Sequence, residues 1–316
     1  MLFSRVRNQL SIRLLKHLDM ARQVILENCG SENNNHYNTG AKKQCLEGVT
    51  EKHYVAKNGF KFATLADFKN KAKWLLAIKA KDIVPLYEAY ELAPENTEAT
   101  FYETGNFKYE TAPAVKKVSF ESYLGLCSHR AVVSYNESSV YTQVFEFTNK
   151  GEIIGVVTDD GGIKGQELSS LNVGIRNVAT KDKPAFTKVS VVYKDYKEFE
   201  NNPAVIKPGF GHLELEGIYD VELTLVSASA TSIKFTAGVG CSGGDAFIKT
   251  LVNANIKVLN ASGAAYTHAF VTADSQGIME ITGVAFANNF TIDLDGVVTS
   301  GDMLYEAVEP LKITGI

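Results

Sequence analysis

What this chain has little of narrows its chemistry first. It holds only four cysteines, Cys29, Cys45, Cys127 and Cys241, and no C-x-x-C pair, so neither a zinc cluster nor a disulfide framework is indicated and the four read as reduced thiols. His36 and His53 interleave with Cys29 and Cys45, but the six, eight and seven residues between successive members fit no ordinary zinc spacing, and no metal is expected. No run of about twenty apolar residues occurs, the length a helix needs to cross a bilayer, so no membrane span is expected. No cluster of lysine or arginine interleaved with aromatics marks a nucleic-acid groove.

What is present is enough for two or three modest cores: 316 residues, 45% of them hydrophobic and 22% charged, a balance too apolar for global disorder. The net charge of -4 is unevenly distributed. Residues 1–30 carry five basic side chains against two acids, net +3, whereas residues 218–316 carry ten acids against four lysines, net -6. Opposite charge at the two ends favours docking onto oppositely charged neighbours.

The pattern along the chain divides it into four parts. Residues 1–28 place Leu2, Phe3, Val6, Leu10, Leu14 and Leu18 at near-helical spacing with arginines between them, an amphipathic helix. Packing on its own protein or on a neighbouring subunit fits this helix; so do an organellar transit peptide and a membrane-surface helix. Residues 29–49, rich in asparagine and glycine, read as a linker. Residues 50–210 open with a helix over 64–80, where Thr64 is the N-cap and Asp67 stands in the acidic first turn. Six segments follow that mix β-branched or aromatic residues with polar ones, from Phe101–Thr111 to Phe186–Tyr196, which makes this body an α+β domain on an antiparallel sheet or barrel. Residues 211–316 are short alternating strands separated by Gly, Asn, Asp and Ser turns, the pattern of an immunoglobulin-like β-sandwich. The fold class expected is therefore mainly β, α+β.

Two motifs near residue 240 imitate chemistry. Gly238, Gly240 and Gly243 form G-x-G-x-x-G after an apparent strand, but position 260 is Asn where a dinucleotide fingerprint needs an acid, and the segments that follow read as hairpins rather than crossover helices. Gly240-Cys241-Ser242-Gly243-Gly244 is formally a nucleophile elbow, yet His268 is the sole histidine downstream and no alternation of strands and helices precedes Ser242. A glycine-rich loop explains both. Cys127 and His129, two apart on an expected strand, would share a face as a thiol packed beside a histidine. Asp293 and Asp295 beside Gly296 read as a turn, because the remaining acids of a calcium loop are missing. No catalytic, cofactor-binding or metal-binding residue is assigned, and no enzymatic activity is expected.

The segments Asp67–Leu92, Thr100–His129 and Val140–Leu168 resemble virion structural proteins of tailed phages that infect Bacteroidota, especially the crAss-like group, and phage head-tail ring and tail-tube components. Phe235–Gly244, Ile256–Val271, Gly277–Leu294 and Tyr305–Gly315 resemble the Ig-like domains appended to such proteins. That resemblance implies a non-enzymatic virion subunit, assembled in the host cytoplasm into a homo-oligomeric ring at the neck or tail. Its partners would be identical subunits and other neck, portal or tail proteins, with DNA only as cargo in the channel and no membrane. Loops such as Asn136–Ser139 and Asp159–Gly165 would serve as inter-subunit arms. A capsid decoration or head-fibre protein, whose Ig-like domain binds carbohydrate, is the alternative. On the ring reading, Ser242→Ala leaves assembly intact while removal of residues 1–28 weakens docking to a neighbour; loss of assembly from Ser242→Ala alone would contradict it, as read by native mass.

Overall fold

The computed structural model describes residues 24–27, 46–105, 107–136, 139–240, 246–301 and 303–316. These residues are mostly strand, with four short α-helices, in agreement with the expected mainly β, α+β class. They divide into two compact units: one drawn from Met1–Lys71, Tyr87–Leu124 and Ala131–Phe210, the other from Ala72–Leu86, Gly125–Arg130 and Gly211–Ile316.

In chain order the elements up to residue 210 are β1 (Ile25–Leu26), β2 (Thr50–Lys57), α1 (Leu65–Phe68), α2 (Lys71–Lys79), β3 (Ile83–Glu88), β4 (Tyr90–Pro94), β5 (Thr100–Thr104), β6 (Phe107–Ala112), β7 (Lys117–Ser122), α3 (Leu126–Val133), β8 (Tyr141–Thr148), β9 (Ile153–Val157), β10 (Ile163–Lys164), β11 (Gln166–Asn177), β12 (Phe186–Tyr193), α4 (Tyr196–Asn201) and β13 (Pro203–Ile206). β8 is the centre of the first unit. It pairs along its length with β2 on one side, and on the other with β9 near Phe147 and with β11 near Val144. β9 continues to β13 and β1. β11 then leaves β8 after Glu167 and pairs with β12, which leads through β7 to β4. One long strand thus belongs to two layers.

The crossing of β11 over β8 explains Gly165, which immediately precedes β11. A Cβ at that position would stand 2.8 Å from backbone atoms of Val144, closer than real Cβ contacts come, so only glycine lets the two backbones meet there. The interior beside it is filled by rings: Phe62 meets Phe68 edge-on with centroids 5.3 Å apart, and Phe68 lies 5.9 Å from Phe145. Because β8 and β9 are covered on both faces, YTQVFEFT and IIGVV are buried through nearly every residue rather than alternately.

The second unit holds β14 (Ile218–Ala228), β15 (Ser232–Val239), β16 (Ala246–Phe247), β17 (Ile256–Leu259), β18 (Ala269–Val271), β19 (Ile278–Thr282), β20 (Thr291–Leu294), β21 (Val298–Ser300), β22 (Met303–Ala307) and β23 (Leu311–Lys312). Its larger sheet runs β18-β19-β15-β14-β22-β21, and a smaller one runs β17-β20-β23. Alternation does the sorting: Val221, Leu223, Ile233, Phe235 and Met279 of the larger sheet share a single core with Ile256, Val258, Ile292 and Leu294 of the smaller. The result is a two-sheet sandwich.

Several local expectations need correction. Thr64 does cap a helix, its hydroxyl accepting from the Asp67 amide at 3.1 Å, but the helix expected over 64–80 breaks at Asn70 into α1 and α2. The amphipathic helix expected over 1–28 lies outside the described residues except at its end, where Ile25–Leu26 form a parallel strand pair with Ala204–Val205. The linker expected over 29–49 is described only from Leu46. Cys127 and His129, expected on a strand, fall on the helix Leu126–Val133. Asp159–Gly165 holds the tight turn from β9 and the short strand β10: the Thr158 amide donates to the Gly162 carbonyl at 2.8 Å, and Lys61 pairs with Asp160. Of Asn136–Ser139, Asn136 is clamped to both backbone groups of Val173.

The Gly165→Ala variant is expected to lose about 1–3 kcal/mol of stability through overpacking, a fall of several degrees in Tm by thermal unfolding. An unchanged Tm would mean that β11 and β8 can move apart at no cost.

Candidate functional site

A buried collection of ionisable groups lies between the two layers of the first unit. Glu146 projects from β8 into the interior, where it accepts hydrogen bonds from Thr50 Oγ1 at 2.9 Å, Gln166 Nε2 at 2.9 Å and the Tyr193 hydroxyl at 2.6 Å. Three distant stretches of sequence therefore converge on one carboxylate. Lys116 completes the group: its ammonium donates to Gln166 Oε1 at 3.1 Å and sits 4.1 Å from the centre of the Tyr193 ring, a cation–π contact.

His53 stands directly across from Glu146 in the β2–β8 ladder. Its ring is fully buried and stacks on Phe120, with centroids 4.5 Å apart and planes 7° from parallel. Neither ring nitrogen has a hydrogen-bond partner among the described residues. Burial holds His53 below its usual pKa, with Glu146 pulling it up and Lys116 pushing it down. Burial alone would push Glu146 up, but the Lys116 charge, the facing His53 and the donors Tyr193 and Thr50 outweigh it and leave the carboxyl below its usual range. Burial and the neighbouring carboxylate drive the Tyr193 phenol well above its usual range. At neutral pH the cluster is thus a carboxylate, a neutral imidazole, a protonated phenol and an ammonium, whose acid–base groups are enclosed rather than presented. Its physical effect is to tie the layers together, since removing one partner of a buried charge leaves the others unmet.

The residues singled out in the sequence do not converge. Gly238 is a ladder residue opposite both Glu222 and Phe247, and the described chain resumes as strand β16 rather than as a helix that could receive a phosphate. Ser242, Cys241, Gly243 and Gly244 lie outside the described residues, as do His36, Cys29 and Cys45. His268 directs Nδ1 to the Tyr266 carbonyl at 3.2 Å. Cys127 and His129 fall on helix α3, where residues two apart point about 200° from each other, so they do not share a face. Cys127 is disulfide-bonded, which corrects its reading as a reduced thiol. Asp293 lies on β20 and Asp295 in the turn after it, and the described residues hold no group of three potential metal ligands. No described helix is long and apolar enough to cross a membrane.

No protein-family model matches the chain, and no curated protein matches it.

The surface offers a different kind of site. β5 and β6 form a two-stranded ribbon of their own, joined to neither larger sheet, and every described residue in it is exposed. Register sorts its side chains. Phe101, Glu103, Lys108 and Glu110 share one face, where Lys108 pairs with Glu103 at 2.7 Å and covers the Phe101 ring at 4.4 Å. The opposite face is uncharged and aromatic, with Tyr102 facing Tyr109 and Phe107 facing Thr104; the three rings remain 60%, 61% and 65% exposed for Tyr102, Tyr109 and Phe107. Nothing in the sequence analysis marked this ribbon as a site, although its hairpin was legible; the available signal was aromatics on both strands with no apolar segment to cover them.

His53 fixes the acid limb of stability. The folded state refuses a proton that the unfolded chain accepts below its ordinary pKa of 6.5, so stability is present above that pH and falls as pH drops below it. Glu146 adds a second loss lower down, below its ordinary 4.5. His53→Phe, which keeps a ring against Phe120, is expected to flatten the upper limb and, by removing one of the groups that hold Glu146 low, to lessen the lower loss as well. A Tm profile as steep as the parent's between neutrality and about pH 5 would show that His53 is not held neutral.

Proposed function

We propose that this protein is a non-enzymatic structural subunit that assembles with copies of itself into a ring, at the neck or tail of a tailed-phage virion. The exposed aromatic ribbon carries the self-assembly part of this reading. A lone two-stranded hairpin is marginal in water, and three large rings left in solvent on one uncharged face are the usual mark of a surface made to be covered. The phage placement rests on the likeness of the body and carboxyl-terminal segments to virion proteins. On this reading the subunit joins head to tail and keeps a channel open for DNA, and the carboxyl-terminal sandwich is an Ig-like module that braces a neighbour or projects from the ring.

The alternative, a capsid decoration or head-fibre protein that binds carbohydrate, needs an exposed aromatic platform on the sandwich. There most aromatics are packed inward: Tyr266, Phe286 and Phe290 interlock with centroids 5.0–5.8 Å apart and Phe235 is fully buried, which leaves Phe247 as the one exposed ring among the described residues. The ring reading is accordingly preferred.

Light scattering on a size-exclusion column over a concentration series, with negative-stain microscopy of the eluate, is expected to show closed rings of several copies. A mass that stays at one chain throughout would count against self-assembly, and glycan binding by residues 211–316 would move the assignment to the decoration protein.

A further inference from the structure

A second exposed apolar feature lies on the same unit as the ribbon, at the far end of the β11–β12 hairpin. There Ile175 and Val178 are 90% and 73% exposed. A register shift between Val173 and Arg176 interrupts the alternation of β11, and the loop beyond is closed by the Thr180 amide donating to the Lys183 carbonyl at 2.8 Å. The tip is therefore a formed surface with two aliphatic side chains standing out of it.

The two features carry opposite charge. Residues 98–112 hold three acids against one lysine, net -2, and residues 175–183 hold three basic side chains against one acid, net +2. Internal pairing takes up one lysine on each. Lys108 is taken up by Glu103 on the ribbon, and Lys183 by Glu121 near the tip. Glu98 and Glu110 thereby keep the ribbon acidic, and Arg176 and Lys181 outnumber Asp182 on the tip, where Arg176 Nε donates to the Leu124 carbonyl at 3.2 Å.

We propose that the uncharged aromatic face of the ribbon in one copy docks on the β11–β12 tip of the next copy, Tyr102, Phe107 and Tyr109 covering Ile175 and Val178 while Glu98 and Glu110 approach Lys181. This deepens the self-assembly reading and rests on it. A contact between two different patches is head-to-tail, the kind that closes into rings when its rotation allows. Ribbon against ribbon would instead give a two-fold dimer and set net -2 against net -2, so charge selects the tip.

The test uses two variants of the full chain, Phe107→Ser/Tyr109→Ser on the ribbon and Ile175→Ser/Val178→Ser on the tip. All four side chains are exposed, and circular dichroism with thermal unfolding checks that each variant folds as the parent does. Each variant alone is expected to lose self-association by about 30-fold or more, the scale of losing a buried anchor. Mixed together, they are expected to form one-to-one pairs and nothing larger, because each supplies the patch that the other lacks. If the parent assembles and the tip variant assembles equally well, tip docking is overturned while self-assembly stands. Mixed variants that stay monomeric beside an assembling parent overturn it too, since a head-to-tail contact requires the intact ribbon of one to find the intact tip of the other. A parent that never associates at any concentration removes both readings together.

Discussion

A single buried carboxylate sets the terms for the first unit. Glu146 stands in the middle of the central strand, and a charge there is tolerable only if protein replaces the water it has lost. Thr50, Gln166 and Tyr193 do so from three different strands, with Lys116 supplying the opposing charge. The layers must therefore close in one register for the interior to be satisfied, since a slip of one residue would turn Glu146 away from all three donors. Apolar packing alone would permit many registers. The polar cluster selects one, while the rings of Phe62, Phe68 and Phe145 pack against one another in the same unit.

How much of this the sequence disclosed depended on how local the cause was. Val221, Leu223, Ile233 and Phe235 alternate with polar residues because one face of their sheet is wet, so the sandwich could be read strand by strand. Thr64 announced its cap through its own side chain. By contrast, Glu146 within VFEFT looks like an outward residue on an alternating strand, and only the return of β11 and β12, twenty to fifty residues later, buries it. Ile25–Leu26 pair with a segment near residue 205, a partner no window of sequence contains. Asn70 and the short helix over Leu126–Val133 were missed because propensity is weak over so few residues and tertiary contacts decide.

The chemistry-like motifs failed for a related reason. G-x-G-x-x-G acts through the strand and helix that frame it, and here Gly238 is one more rung of an antiparallel ladder. The ribbon went unmarked for the converse reason: its aromatics alternate as well as any core strand's, and the pattern cannot say whether a covering layer exists. Exposure, rather than residue type, separates β5 and β6 from the buried strands around them.

The continuity of β11 through both layers has a mechanical meaning. Load applied to the tip near Ile175 along the strand would be borne by the β11–β12 ladder in shear, with its hydrogen bonds sharing the force at once rather than breaking in turn. At the other end, Gln166 passes that load to β8 and to the donors around Glu146. The strand that ends in an exposed tip is also anchored in the interior at its other end, so a neighbour held there would pull on the body of the molecule rather than peel off its edge.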